Sequence, residues 1–558
     1  MTVGAATERV QPAILVIIPA RGGSKVIPRK NLRSLGGRPL IAYAVGAALE
    51  SRHEPDVFVS SDDAEILSLA GKLGARTHRR AAHLASDATT LDAVVVAAYP
   101  KICALGGRRY DVIVTLQATS PLLRTESLDA AVDTLLADEE LDTVLSAVDD
   151  THLTWTRRGG RFEPLYPARV NRQRLEPVYR ETGGLIACRE RVLASGTRIG
   201  PRASLHLLHG PEAIDIDNAD DWALCEWHLA QRDILFVVAG DEEIGLGHAH
   251  NALTVANELV RHRTRFLVTR SSDLARQAIA EHRYEVRQQG DGDLVDEILA
   301  TGAEVVISDR LDTPAEDTAR LKAAGRTVIA FEDLGEGTRG ADLVINAIYP
   351  EREALPNHHF GPRYFCMRPE FLLTEPRHVA ARVSRVLLTF GGVDPNDLTR
   401  RVLESIHGEC RRRGVDVAVI AGRGYARVDG LADFDGLRVD RVVSDMADRI
   451  RAADLVFTSA GRTVFEIAAL GTPAIVLAQN QRELTHFFAA PEHGIVNLGL
   501  GTGVSAAQIL AAFCSLADDP EARRRMHVRM LDNELRSGTA RVVSLIEATI
   551  GGAWASQS

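Results

Sequence analysis

The chain has 558 residues, 45 % apolar and 25 % charged, an ordinary globular composition that excludes long disorder, collagen-like repeats and coiled coil. At about 100 to 200 residues per domain it has room for about three or four folding units. Its net charge of -10, from 65 Lys and Arg against 75 Asp and Glu, leaves no basic footprint for nucleic acid or anionic lipid, so any phosphate it binds must be gripped locally.

Residues 1–11 lack a basic and apolar signal pattern, and the six cysteines (Cys103, Cys188, Cys225, Cys366, Cys410, Cys514) include no C-x-x-C pair. Apolar runs such as those at 13–20 and 234–239 fall far short of the roughly 20 residues that cross a bilayer. The expectation is a cytoplasmic protein without a membrane span.

In chain order, Val- and Ile-rich runs at 14–19, 57–60, 112–116 and 143–147 alternate with amphipathic stretches. That pattern predicts an α/β fold, parallel strands covered by helices on both faces. The first run leads into Pro19-Ala20-Arg21-Gly22-Gly23-Ser24-Lys25 and then Pro28-Arg29-Lys30-Asn31. Paired glycines let backbone N–H groups approach an anion, and the cations supply charge for a triphosphate. The segment is neither a Walker A loop nor a dinucleotide fingerprint; a Gly-rich turn with incidental surface cations is the alternative. The run at 112–116 opens into Gln117-Ala118-Thr119-Ser120-Pro121-Leu122-Leu123-Arg124, at the carboxyl end of a strand where open α/β sheets bind ligands. In Ile214-Asp215-Ile216-Asp217-Asn218, alternation puts both carboxylates on one face, suited to a hard divalent cation. A solvated acidic turn is the other reading.

Together these segments resemble the acylneuraminate cytidylyltransferase family, the synthetases of CMP-sialic and other CMP-nonulosonic acids, over roughly residues 12–230. The carried motifs are Ala20, Arg21, Ser24, Lys25, Pro28, Lys30 and Asn31; then Arg80, Leu84, Ala85 and Asp87; then 117–124; then Asp215 to Asp217. Val26 and Ala81 replace the usual Gly and Pro. The resemblance implies transfer of CMP from CTP to a nine-carbon 2-keto sugar acid, with release of pyrophosphate. It implies Arg21 and Lys30 as catalytic groups and Gly22, Ser24, Lys25, Asn31, Arg80, Ser86, Gln117 and Thr119 around CTP. It further implies Asp215 and Asp217 on Mg²⁺, Arg180 on the sugar acid, and a homodimer through this domain. The loop carrying Arg180 usually has Asn-Gly where this chain has Thr182-Gly183.

After an amphipathic stretch at 222–229 the pattern restarts, which places a boundary near Gln231. Strand-like runs follow at 234–239, 265–269, 305–308, 327–331 and 343–346, and, beyond a Pro-bearing stretch at 349–377, at 386–390, 417–421, 455–458 and 474–477. The expected domains are 1–231, 232–372 and 373–558, the last two forming a bilobal pair, with a frayed tail at 551–558. The run at 234–239 enters Gly240-Asp241-Glu242-Glu243-Ile244-Gly245-Leu246-Gly247-His248 ahead of a helix. His248 at a helix start can stay neutral and act as a general base, or merely cap the helix. His250 faces elsewhere, which argues against a zinc pair. Phe390-Gly391-Gly392 closes one later strand, and Ser459-Ala460-Gly461-Arg462-Thr463-Val464-Phe465-Glu466 closes another and opens a helix. Small residues and hydroxyls there suit a diphosphate and Glu466 a ribose diol, although a plain helix start uses the same residues.

Residues 234 to about 500 resemble the UDP-sugar hydrolase of pseudaminic acid biosynthesis, a GT-B relative of MurG-type glycosyltransferases. The match rests on Gly247 and His248, Gly391 and Gly392, Ser459, Ala460, Gly461, Thr463 and Glu466, Gly471-Thr472-Pro473, and Asn480-Gln481. It implies two Rossmann-like lobes of GT-B type after the N-terminal nucleotidyltransferase domain. It also implies hydrolysis of a UDP-linked diacetamido-trideoxyhexose, with His248 activating water and no cofactor. Asn251 stands where that family has Arg, and Asp309-Arg310-Leu311 where it has D-x-Y. The expectation for the whole chain is a bifunctional enzyme of nonulosonic acid biosynthesis. A C-terminal glycosyltransferase or a non-catalytic nucleotide-binding module is the alternative.

Overall fold

The computed structural model describes residues 12–86, 88–241, 245–351, 353–441 and 443–555. The chain divides into two compact units, Met1–Ala230 and Gln231–Ser558.

The N-terminal unit is built on a seven-stranded sheet. Its spatial order is Ala203–Leu207, Thr143–Asp149, Tyr179–Arg189, Val112–Leu116, Ile14–Pro19, Asp56–Ser61 and Arg76–Arg79. The two central strands are buried on both faces, which is why they read as unbroken apolar runs. Val16, Ile18 and Val114 pack with Ile41, Val45 and Leu128 on one side, and Leu15, Ile17 and Ile113 with Val95, Tyr99 and Ile102 on the other. The expectation of an all-parallel sheet needs correction. Tyr179–Arg189 runs antiparallel to both neighbours, with a register shift between Glu181 and Ile186. A separate hairpin, Trp155–Arg158 with Arg161–Pro164, turns through Gly159 and Gly160, both at positive φ (53° and 84°). It leaves Trp155 54 % and Phe162 70 % exposed.

The C-terminal unit holds two lobes, each on a wholly parallel sheet. The first has seven strands, in the order Val286–Gln288, Arg263–Val268, Asp233–Val238, Val305–Asp309, Thr327–Phe331, Leu343–Asn346 and His358–Phe360. The second has six, Arg438–Arg441, Asp416–Ala421, Arg385–Thr389, Leu455–Thr458, Ala474–Ala478 and Val496–Leu500. The fold is thus the expected α/β one, a Rossmann-like N-terminal sheet followed by a GT-B-like pair of Rossmann-like lobes.

The last helix, Gly538–Ala555, does not stay with the lobe it follows in sequence. Val542, Ile546 and Ile550 enter the core of the first lobe beside Val255, Leu259 and Phe266. Assigning all of 373–558 to the second lobe is therefore corrected for this helix, and its helical backbone runs past Gly551, where a frayed tail was expected; residues 556–558 lie outside the described residues. Gly538 is required at its start, because a Cβ there would sit 2.1 Å from the Phe365 carbonyl oxygen. The fully buried Arg523 is satisfied by backbone carbonyls alone. It donates to Leu516 and Ala517 at the end of helix Ala506–Asp518, and to Ala380 and Ala381 in the interlobe connection, as a buried cation must. Among the described residues, no helix is long and apolar enough to cross a membrane, and the six cysteines are free thiols.

Candidate functional sites

In the N-terminal unit the Gly-rich loop leaves the carboxyl end of the central strand and is tied down by side chains from its neighbours. The Gly22 N–H donates to Asp62 Oδ1 at 3.2 Å, and the buried Arg80 pairs with the same oxygen at 3.3 Å. Gly22 is sterically required, since a Cβ would meet Asp63 Oδ2 at 2.7 Å. Asn31 is buried and its Nδ2 donates to the Arg21 carbonyl at 3.0 Å, so it shapes the loop from beneath. Ser24 is half-buried, and Lys25 and Val26 are exposed.

Lys30 reaches the acidic motif. Its Nζ donates to the Ile216 carbonyl at 2.5 Å. Burial pulls the ammonium below its ordinary range, opposed by the charges of Asp215 and Asp217. Ile216 is fully buried with Ile27, Leu35, Leu40 and Cys225, which turns its two acidic neighbours to the opposite side, as the alternation predicts. Asp215 is half-buried, and desolvation, with the nearby Asp217, pushes its carboxyl up. The Ile216 N–H donates to the Thr119 carbonyl at 2.8 Å, joining the two motifs. The Thr119 hydroxyl is buried without a partner at hydrogen-bonding geometry, yet lies near enough to Asp215 to favour its charged form. Among the described residues no group of three or more His, Cys, Asp or Glu is placed to hold a metal; the Asp215 and Asp217 carboxylates are the groups a phosphate-bound cation could use.

Other predicted residues are engaged elsewhere. Gln117 Nε2 donates to the Gly183 carbonyl at 2.7 Å and its N–H to the Gly184 carbonyl at 3.0 Å, so it anchors the Arg180 loop. Thr182 turns into the sheet, its hydroxyl 2.7 Å from Ser146 Oγ. Arg180 pairs with Asp150 at 3.4 Å, and Ser86 bonds Thr89 at 2.8 Å. Asp87 lies outside the described residues. Asp62, the strut of the loop, was not picked out from the sequence.

The C-terminal unit contains a cleft of about 410 Å³ lined by both lobes. Gly247 and His248 line it from the first lobe, and Gly391, Gly392, Ser459, Gly461, Thr463, Glu466 and Asn480 from the second. Two expected residues do not line it. Ala460 is buried behind the loop, its N–H donating to Glu483 Oε2 at 3.2 Å, and Gln481 is exposed. Residues 242–244 of the Gly-His loop lie outside the described residues.

His248 is not a cap. It sits in the first turn of Gly247–Glu258, and its Nδ1 lies 2.6 Å from Oδ1 of Asp309, at the carboxyl end of Val305–Asp309. Asn251, one turn further, donates Nδ2 to Asp309 Oδ2 at 2.6 Å. Arg462 comes in from the second lobe, bonds Asn251 Oδ1 at 2.8 Å and lies 4.3 Å over the Phe365 ring. It is also 3.4 Å from Glu332, whose carboxyl burial pushes up to about 7 against the pull of Arg462. Glu466 is tied to Arg368 at 2.7 Å. Leu311 lines the cleft where the resemblance has a phenol, and so does Tyr349, whose hydroxyl accepts from Arg482 Nε at 2.6 Å. Arg462, Glu332 and Tyr349 escaped the sequence reading, although a cation inside the otherwise small and polar run 459–463 was a visible signal.

His486, packed on Tyr349 with ring centroids 4.9 Å apart, donates Nδ1–H to the Ala460 carbonyl at 2.7 Å. Burial lowers its ring to about 4. Unfolded, the ring binds a proton below about 6.5, so between about 4 and 6.5 the unfolded chain holds more protons and stability rises with pH. Acidification through that window is expected to cost at most about 1.4 kcal/mol per pH unit. His486→Asn should flatten the pH dependence of the urea midpoint of this unit.

A family model described as cytidylyltransferase matches residues 15–155. The chain is 31 % identical over 221 residues to the CMP-N,N'-diacetyllegionaminic acid synthase of Legionella pneumophila, covering 38 % of this chain and 94 % of that protein. It is 33 % identical over 221 residues to N-acylneuraminate cytidylyltransferase A of Danio rerio, covering 38 % of this chain and 50 % of the other. The chain spans about half the length of several of the curated relatives it matches, 49 % to 56 %. Among solved structures, MurG of Acinetobacter baumannii aligns with 56 % of this chain and 99 % of its own at 16 % identity and a TM-score of 0.42.

Proposed function

The chain belongs to the cytidylyltransferase family, and on that premise we propose that it is a bifunctional enzyme of nonulosonic acid biosynthesis. The N-terminal unit transfers CMP from CTP to the anomeric hydroxyl of a nine-carbon 2-keto sugar acid. The C-terminal unit hydrolyses a UDP-linked diacetamido-trideoxyhexose.

The first activity rests on Lys30, held between the Ile216 carbonyl and two carboxylates beside the Gly-rich loop. In-line attack of the sugar hydroxyl on the α-phosphorus expels pyrophosphate, whose developing charge Arg21, Lys25 and Lys30 neutralise. Asp215 and Asp217 fit Mg²⁺: two neighbouring carboxylates, one pushed up by burial and by the other, are better satisfied by a cation. When bound, Mg²⁺ supplies charge neutralisation on phosphate oxygens. Gln117 holds the loop that carries Arg180, whose guanidinium takes the sugar carboxylate. The exposed Trp155 and Phe162 of the hairpin support a homodimer through this unit, because exposed aromatic clusters mark interfaces. A cytoplasmic location is supported by the six free thiols.

The second activity rests on the His248–Asp309 pair. Asp309 accepts a hydrogen bond from Nδ1–H, leaving Nε2 to take a proton from water as its oxygen attacks the anomeric carbon. The carbon–oxygen bond to the β-phosphate breaks and UDP leaves with the electron pair. A glycosyltransferase would apply the same base to an acceptor hydroxyl, and UDP release would then require an added acceptor.

The test uses the intact purified chain with CTP and a panel of nine-carbon 2-keto acids, and separately with UDP-diacetamido-trideoxyhexoses. Pyrophosphate release is expected in both wild type and His248→Ala, and UDP release is expected to fall about 10³-fold in the variant. Absence of pyrophosphate with every acid would sink the first activity, and UDP release indifferent to His248 the second.

A further inference from the structure

We propose that Arg462 is a positioning residue for His248, acting across the cleft through Asn251 and Asp309. The inference rests on the hydrolytic reading of this cleft.

The argument turns on the Asn251 amide, which has two orientations of similar shape and opposite hydrogen-bonding polarity. Its Nδ2 donates to Asp309 Oδ2 at 2.6 Å and its Oδ1 accepts from Arg462 Nη2 at 2.8 Å. A guanidinium has no acceptor and an ionised carboxylate no donor, so only this orientation satisfies both neighbours. The reverse would set oxygen against carboxylate and N–H against guanidinium. With Oδ2 occupied by Asn251, Oδ1 of Asp309 is left to receive Nδ1–H of His248 at 2.6 Å. That tautomer leaves Nε2 as the proton acceptor.

Arg462 is itself fixed. It lies 3.4 Å from Glu332 Oε1 and 3.5 Å from the Cys366 carbonyl, and stacks over Phe365. Glu332 is held in turn by the N–H groups of Ala347 and Ile348, at 3.3 and 3.1 Å. Water has little access to the relay, for the side chains of Arg462, Glu332, Asp309 and His248 are 14 %, 3 %, 1 % and 13 % exposed. Arg462 belongs to the second lobe and Asn251, Asp309 and His248 to the first. The base therefore acquires its working orientation only when the two lobes meet.

The experiment compares wild type, Arg462→Gln and Arg462→Lys in three readouts: UDP release under saturating sugar nucleotide, UDP affinity by calorimetry, and the His248 tautomer in ¹⁵N-histidine-labelled protein, with His248→Gln supplying the assignment. Expected for Arg462→Gln is a loss of about 10² in kcat with UDP affinity within about twofold of wild type, and a mixture of tautomers in place of one. Arg462→Lys should recover part of the rate, and matching thermal midpoints would show that both variants fold. An unchanged kcat, or a UDP affinity weakened by the same factor as the rate, would overturn the proposal, the latter making Arg462 a phosphate ligand. If wild type releases no UDP, the hydrolytic reading fails, while the tautomer comparison still decides whether Arg462 sets the ring.

Discussion

Lys30→Met is expected to lower CMP transfer by about 10² to 10³-fold while leaving UDP release untouched. Lys30 bonds directly to the backbone of the acidic motif, at Ile216. Its ammonium is half-buried, so desolvation weakens it and Asp215 and Asp217 sustain it. Charge placed there on a leaving pyrophosphate is met at low dielectric, where one preorganised donor contributes about 3 to 4 kcal/mol to the transition state. Removing it also leaves two neighbouring carboxylates without their counter-charge, so the Mg²⁺ concentration giving half-maximal rate should change in the same variant. The measurement is pyrophosphate release at saturating CTP, with UDP release from the same preparation reporting on the integrity of the other unit. A loss below tenfold would remove Lys30 from the transition state.

Asp309→Asn should be as damaging to the second activity, with about a 10³-fold fall in UDP release and unchanged UDP affinity. The side chain is nearly isosteric and 1 % exposed, so the cleft keeps its shape. In the wild type its two oxygens serve two donors, His248 on Oδ1 and Asn251 on Oδ2, and an amide keeps an acceptor oxygen at only one of those two places. Either the Asn251 bond is lost, or the new amide turns its NH₂ to His248 and selects the tautomer with the proton on Nε2, which cannot take another. Retention of the wild-type rate within tenfold would show that orientation of the ring is not limiting.

These predictions depend on residues of unequal visibility in the sequence. The strands at 14–19 and 112–116 were legible because a central parallel strand is apolar on both faces, and the Asp215 and Asp217 alternation because the residue between them is core. Tyr179–Arg189 was not. Its first three residues are exposed and a register shift interrupts the pairing before its buried half. Asp62 follows a buried strand next to Asp63, which caps helix Ala64–Lys72, so a loop strut there looks like part of a helix start. Thr182 stands where the family has Asn, and its hydroxyl serves Ser146 inside the sheet, a use that spacing does not reveal. Arg462 and Asn251 are 211 positions apart, and no periodicity in either segment links them. The strand-like runs likewise say nothing of which lobe receives the helix Gly538–Ala555.

The destination of that helix bears on how the protein is made. A ribosome extends the chain at about 5 to 20 residues per second, so several hundred residues are synthesised between Asp233–Val238, the first strand of this unit, and Gly538–Ala555. Until the terminal helix emerges, the apolar surface around Val255, Leu259 and Phe266 lacks Val542, Ile546 and Ile550, and the nascent first lobe must wait with that surface uncovered. A chain cut short before Val542 would therefore spoil the lobe that carries His248, far from the missing residues, while the N-terminal unit, finished long before, would be released intact.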